Sequence, residues 1–221
     1  MGRVLVLRPE PGASATVERA RERGLDALAL PLFKVEPVPW SAPDPAGFGG
    51  LLLTSANAVR HGGEQLARLR DLSVYAVGEA TADAALAAGF GIAGIGDAGV
   101  DRLLATIDAG LTLLHLCGAD RREPRQPRQE ITPVIVYGST PIRAPDLSTA
   151  PGSIALIHSP RAGRRFAELV RDKGSITVAA ISDAAADAVG NDWRSMHVAD
   201  EPSDEALLAL AARLCNNPDP K

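Results

Sequence analysis

The residues of this chain best placed to do chemistry are those that would bind an anion. Ser55, Gly78, Ser159 and Ser182 each follow an apolar run and precede a helical pattern. At such a turn the first helical N–H groups have no backbone partner, and in parallel α/β sheets ligands bind beyond the carboxyl ends of the strands. Arg8 stands at the tip of the first apolar run, Val4 to Leu7, and would add a charge-assisted pair. Two lobes facing each other through such edges would form one cleft rich in anion-accepting donors. Metal chemistry has less to work with: His61, His115, His158 and His197 are scattered without ligand spacing, and Cys117 and Cys215 lie far apart, so no metal is expected. His158 is notable only as a strand-tip residue. The glycines of GIAGIGDAG, residues 91–99, form no GxGxxG fingerprint, which argues against a dinucleotide. The segment from Ala119 carries Arg121, Arg122, Arg125 and Arg128, as either a solvated loop or a substrate-gripping lid.

The elements that position these residues are clearest in residues 51–90. An apolar run, Leu51 to Leu53, stops at Thr54-Ser55; a helical pattern follows; a second run, Val74 to Val77, stops at Gly78; and an Ala-rich helix begins with Glu79. Short apolar runs alternating with helices are the pattern of βαβ units on a buried parallel sheet. The stretch recurs. A shift of 104 residues lays Leu52 on Leu156, Ser55 on Ser159, Arg60 on Arg164, Val74 on Val178 and Ala82-Asp83-Ala84 on Ala186-Asp187-Ala188. Two similar lobes are expected.

Composition bounds the rest. At 221 residues, with 46% hydrophobic and 23% charged residues, the chain is an ordinary globular protein able to build two modest cores. A formal net charge of -4 gives no basic character for nucleic acid. No apolar run approaches bilayer length and the N-terminus lacks a signal-peptide core, so a cytoplasmic protein with reduced thiols is expected, without a membrane partner.

In chain order, Ser14 is expected to cap the first helix, Gly24 to close it and Ala27 to Leu30 to form the second strand. The Pro-rich stretch 34–47 and the extended stretch 131–142 read as connectors whose segments near 34–38 and 133–140 could pair as a two-stranded ladder. The first lobe would then be discontinuous, residues 1–33 plus 143–221, and the second would be 48–130. Further strands are expected near 92–95, 112–116, 154–158, 177–181 and 195–198, and helices near 57–69, 79–89, 99–109 and 203–214, the last capped by Ser203. Gly62-Gly63 would interrupt the first of these helices locally. The tail after Asn216 reads as a frayed end.

Taken in order, Arg8-Pro9 after the first strand, Thr54-Ser55-Ala56-Asn57-Ala58-Val59, Val77-Gly78-Glu79-Ala80-Thr81-Ala82, Gly118 after the next strand and Val136-Tyr137 on the return crossing resemble the uroporphyrinogen-III synthase family over nearly the whole chain. That resemblance implies two flavodoxin-like α/β lobes joined by a two-stranded β-ladder. It implies a cofactor-free reaction in haem biosynthesis, in which hydroxymethylbilane loses its hydroxyl, inverts its last pyrrole ring through a spiro intermediate and closes to uroporphyrinogen III. It further implies that Tyr137 assists departure of the hydroxyl. Arg8, Ser55, Gly78, Glu79, Thr81, Gly118, Arg121, Ser159 and Ser182 would contact the substrate, in a monomer with transient contact to the preceding pathway enzyme at most. The chain departs from the family pattern at Ile181-Ser182-Asp183-Ala184-Ala185-Ala186, where a Gly-Pro-Thr-Thr-Ala type turn is usual, and at His158, which stands where a threonine is expected.

Two other functions compete. A non-catalytic two-lobed protein that binds an anionic small molecule would explain the missing threonines. A flavodoxin-like electron carrier is disfavoured, because RPEPGAS after the first strand supplies no Ser/Thr- and Gly-rich phosphate loop.

Overall fold

A computed structural model describes residues 2–97, 99–121 and 123–216 of the chain. Arg122 and the tail 217–221 lie outside the described residues. The chain divides into two compact units, 1–34 with 140–221, and 35–139. Each is an α/β unit built on a parallel sheet.

In the first unit, β1 (Val4–Val6), β2 (Ala27–Ala29), β9 (Ile154–Ile157), β10 (Thr177–Ala180) and β11 (Ser195–Val198) form a sheet of order β11-β10-β9-β1-β2. This is the doubly wound order of flavodoxin-like sheets. All four strand pairs are parallel. Because side chains alternate across a strand, Val4, Val6 and Leu156 pack with α1 (Gly12–Glu22) and α7 (Asp204–Asn216). Leu5, Leu7 and Ile157 pack with α5 (Pro160–Leu169) and α6 (Asp183–Val189) on the other face. Helices on both faces explain why these strands read as unbroken apolar runs.

The second unit contains β4 (Gly50–Leu53), β5 (Val74–Val77), β6 (Ile92–Gly96), β7 (Thr112–Gly118) and β8 (Glu130–Pro141), in the order β3-β8-β7-β4-β5-β6 with β3 (Phe33–Pro37) at one edge. Leu51, Leu53, Leu114 and Leu116 pack with α2 (Ala56–His61) and α3 (Glu79–Ala87), and Leu52 and Leu113 with α4 (Val100–Thr106). Set side by side, the sheets have one layout. β6-β5-β4-β7-β8 corresponds to β11-β10-β9-β1-β2, so the sequence repeat is real but circularly permuted: β1 takes the place in the first unit that β7 takes in the second.

Four local expectations are refined. Ser14 does not cap α1; the helix starts at Gly12, and the Glu10 carboxylate accepts from both the Ser14 backbone N–H (3.0 Å) and its hydroxyl (2.9 Å). A carboxylate just before a helix satisfies the first-turn donors better than a hydroxyl inside it. The helix expected over 57–69 breaks at Gly62-Gly63 into α2 and a 3-10 segment, Gly63–Leu69, because Gly63 sits at φ +63. The connector after residue 130 is a twelve-residue strand whose first part pairs with β7, while Val38 N–H donates to the Val136 carbonyl at 3.0 Å. The stretch 119–129, which occupies the place of α1 in the permuted comparison, forms no helix among its described residues, as Pro124 and Pro127 dictate.

Candidate functional site

In the second unit the strand register decides which residues meet. Leu53 lies opposite Ala76 on β5 and Leu116 on β7, and Gly118 lies opposite Tyr137 on β8. Two residues further on, Ser55, Gly78 and Gly118 stand level at the carboxyl edge, with Tyr137 beside them. Ser55 caps α2, its Oγ accepting from the Asn57 N–H at 3.2 Å. Gly78 turns into α3 at φ +82 with open space where a side chain would project. Glu79 is exposed in the first turn of α3, where a carboxylate suits the positive helix end. Thr81 is buried.

Gly118 matters for its missing side chain: a Cβ there would come within 2.6 Å of Tyr137 Cε2 and 2.7 Å of Cζ. The Tyr137 ring therefore lies directly on the β7 backbone. Its other neighbour is the His61 ring, 6.2 Å away between centroids and tilted by 36°. Beneath this edge His115 is buried on β7, with Nε2 3.0 Å from the hydroxyl of Thr54, the residue before the Ser55 cap. Burial, with the charge of Arg121 adding to it, lowers the His115 pKa to about 4, so the imidazole is neutral. The Cys117 thiol donates to the Val134 carbonyl at 3.4 Å and burial pushes its pKa up, while Arg121 pairs with Glu123 at 3.1 Å.

Arg125 and Arg128 are tied to α4 instead. The Arg125 N–H donates to Asp101 at 2.8 Å, Arg128 to the Ala105 carbonyl at 3.1 Å, and Gln129 Nε2 to the carbonyls of Leu104 and Ile107 at the end of α4. A groove of about 490 Å³ between α4 and residues 125–129 lies there, not at the carboxyl edge.

The first unit has its own edge. Val6 lies opposite Leu156, and Ala180 opposite Ile157, which brings Arg8 beside His158 and Ser182 beside Ser159. Ser159 caps α5 by accepting from the Ala162 N–H at 3.2 Å; Ser182 precedes α6 with no side-chain cap. Sequence reasoning missed the centre of this edge, Asp204. Its Oδ1 accepts from Thr16 Oγ1 (3.0 Å) and lies 2.8 Å from His158 Nε2 and 3.5 Å from Arg8, while Oδ2 pairs with Arg19 at 2.6 Å. Burial opposes ionisation of this carboxyl, yet hydrogen bonds from His158, Arg19 and Thr16 hold it well below the usual carboxylate range. In the sequence, Asp204 reads only as an acidic residue at a helix start.

A family model described as uroporphyrinogen-III synthase HemD matches residues 14–209. The chain belongs to this uroporphyrinogen-III synthase family. Among curated proteins, a uroporphyrinogen-III synthase of Chlorobaculum parvum (strain DSM 263 / NCIMB 8327) is 32% identical over 90 residues, 37% of this chain and 37% of that protein. The match thus spans little more than a third of the relative's length. Among solved structures, uroporphyrinogen-III synthetase from Helicobacter pylori 26695 matches with a TM-score of 0.64 at 20% identity, covering 97% of this chain and 100% of that one, a likeness of fold. In this member of the uroporphyrinogen-III synthase family, Tyr137, Gly118, Ser55, Gly78, Glu79 and Arg121 gather around the second sheet edge. Arg8, Ser159 and Ser182 gather at the first. Thr81 alone is withdrawn into the interior.

Proposed function

We propose that the protein is a uroporphyrinogen-III synthase: it converts hydroxymethylbilane to uroporphyrinogen III and water, inverting the last pyrrole ring. The observation that carries this reading is the line of Ser55, Gly78, Gly118 and Tyr137 at one sheet edge in a chain matched to the family over residues 14–209. The substrate cyclises unaided to the wrong isomer, so catalysis consists of holding one conformation, which is a matter of positioning. Helix N-terminal amides behind Ser55 and Gly78, and behind Ser159 and Ser182, would take substrate carboxylates; Arg8 and Arg121 would add charge-assisted pairs. Glu79, an acceptor only, suits a pyrrole N–H.

Tyr137 is the proposed catalytic residue. As the substrate's C–O bond breaks, the phenol passes its proton to the departing oxygen, which leaves as water, and the phenolate recovers the proton that the pyrrole carbon loses on ring closure. Its ring is backed by Gly118 and His61, and beneath it the buried His115 is neutral and bonded to Thr54. We take the protein to act as a cytoplasmic monomer. Two supports are the free, buried Cys117 and Cys215 and the absence, among the described residues, of a helix long and apolar enough to cross a membrane.

The test is to supply freshly generated hydroxymethylbilane and separate the oxidised products. Predominantly type III uroporphyrin is the expected result. Type I alone, at the uncatalysed rate, would refute the activity and leave a binding protein with the family fold.

A further inference from the structure

The carboxyl edge of the first unit gathers three basic side chains on a single carboxylate. Arg19 meets Asp204 through two nitrogens, Nε at 3.1 Å and an Nη at 2.6 Å, and so is held as a fork. Thr16 donates to the same carboxylate, and His158 places its Nε2 on it from the tip of β9. Arg8 is held differently. A single Nη lies 3.5 Å from Asp204 Oδ1 and 3.5 Å from Thr16 Oγ1, which leaves most of the fork's donors uncommitted. Its guanidinium rests on Gly12: a Cβ at that position would stand 2.6 Å from Arg8 Nε and 2.9 Å from Cζ. Gly12 is therefore a cradle for the arginine, and Asp204 its anchor. The anchor comes from the first residue of α7, far along the chain.

We propose that Asp204 and Gly12 are positioning residues that hold the Arg8 guanidinium ready at the carboxyl edge of the first unit to pair with a carboxylate of the polyanionic substrate. Asp204 touches no substrate itself. Its carboxylate is consumed by Arg19, Thr16 and His158, and it acts through the orientation it imposes on Arg8. Gly12 acts by leaving the space in which that guanidinium lies. The inference rests on the synthase reading for the identity of the anion, but not for the existence of the network.

The experiment is a double-mutant cycle read in the binding of uroporphyrin III, an octacarboxylate, by fluorescence titration, with thermal melting to confirm that each variant is folded. Arg8→Ala is expected to weaken binding roughly ten- to a hundredfold, the loss of one hydrogen-bonded charge pair. Asp204→Asn and Gly12→Ala should each weaken it in the same direction in the native background, and neither should change it more than about twofold once Arg8 is alanine, because residues acting through a shared partner are non-additive. Gly12→Ala leaves Asp204 untouched at a helix start, so it keeps the test sharp should Asp204→Asn unfold the unit. Equal effects of either variant in both backgrounds would overturn the proposal, as would a native protein that binds no uroporphyrin III. A protein that binds with the coupled pattern yet makes no type III product would lose the proposed activity and keep the network.

Discussion

Replacing Gly118 by alanine isolates what the glycine does for Tyr137. Gly118 is not among the positive-φ glycines, so the backbone accepts alanine without strain and the whole effect must come from the new methyl group. That methyl would lie 2.6, 2.7 and 3.0 Å from Cε2, Cζ and the hydroxyl oxygen of Tyr137. To reach ordinary contact the ring must retreat by roughly 1 Å, and overpacking of this kind costs about 1–3 kcal/mol. Tyr137 is half-buried and can swing outward, so the lower end, about 1 kcal/mol, is expected in urea denaturation. The catalytic consequence is larger. The hydroxyl lies at the far end of the ring and moves with it, and a misplacement of about 1 Å costs on the order of a hundredfold in turnover. Gly118→Ala should thus lose about that factor in type III formation while remaining folded. In a Tyr137→Ala background the same substitution should no longer destabilise. Wild-type turnover by Gly118→Ala, or an equal stability loss with and without the Tyr137 ring, would refute the reasoning.

Two further predictions concern stability. At Gly163, where α5 meets α6, a Cβ would stand 2.7 Å from Val189 Cγ2 and 3.0 Å from the Ala185 carbonyl oxygen, so backbone as well as side chain must yield. Gly163→Ala should lower stability by about 2 kcal/mol by urea midpoint, with product ratio intact in the surviving folded fraction. At His115, the folded-state pKa of about 4 lies below the ordinary histidine value of 6.5. The unfolded chain therefore binds the extra proton between those values. Stability from the neutral imidazole is complete above pH 6.5 and falls by about 3 kcal/mol as the pH drops to 4. The difference between native protein and His115→Gln should carry this slope, and a difference independent of pH would remove the buried neutral imidazole from the account.

The strands were legible because both faces of each sheet are covered. A strand buried on two sides cannot alternate, so Gly50–Leu53 and Ile154–Ile157, buried at every position, lie where the apolar runs placed them. The repeat was legible too, but only from β4 and β9 onward. In the first unit the places of β7 and β8 are filled by β1 and β2, which precede the copy in sequence, a partnership no linear comparison reveals. The site was half legible. Strand-tip serines and glycines announce themselves, since a turn before a helix has few chemical solutions. Asp204 does not, because its partners Arg8, Thr16, Arg19 and His158 lie 46 to 196 residues away and meet only when α7 packs beside α1. The Gly118–Tyr137 contact was equally hidden, since a glycine that makes room looks in sequence like any other turn glycine.

The permuted repeat also explains why the two edges differ in chemistry. In the first unit the connection from β1 to β2 is the helix α1, and α1 carries Thr16 and Arg19 to Asp204. In the second unit the corresponding connection, from β7 to β8, is interrupted by Pro124 and Pro127, and its described residues form no helix to carry such a cluster. Conversely, β2 stops after three residues whereas β8 runs for twelve, and only a strand extended past the sheet edge can bring a residue such as Tyr137 up beside Gly118. Two local features, a pair of prolines and a long strand, thus separate an edge whose basic side chains share the Asp204 carboxylate from one that sets the Tyr137 ring against Gly118.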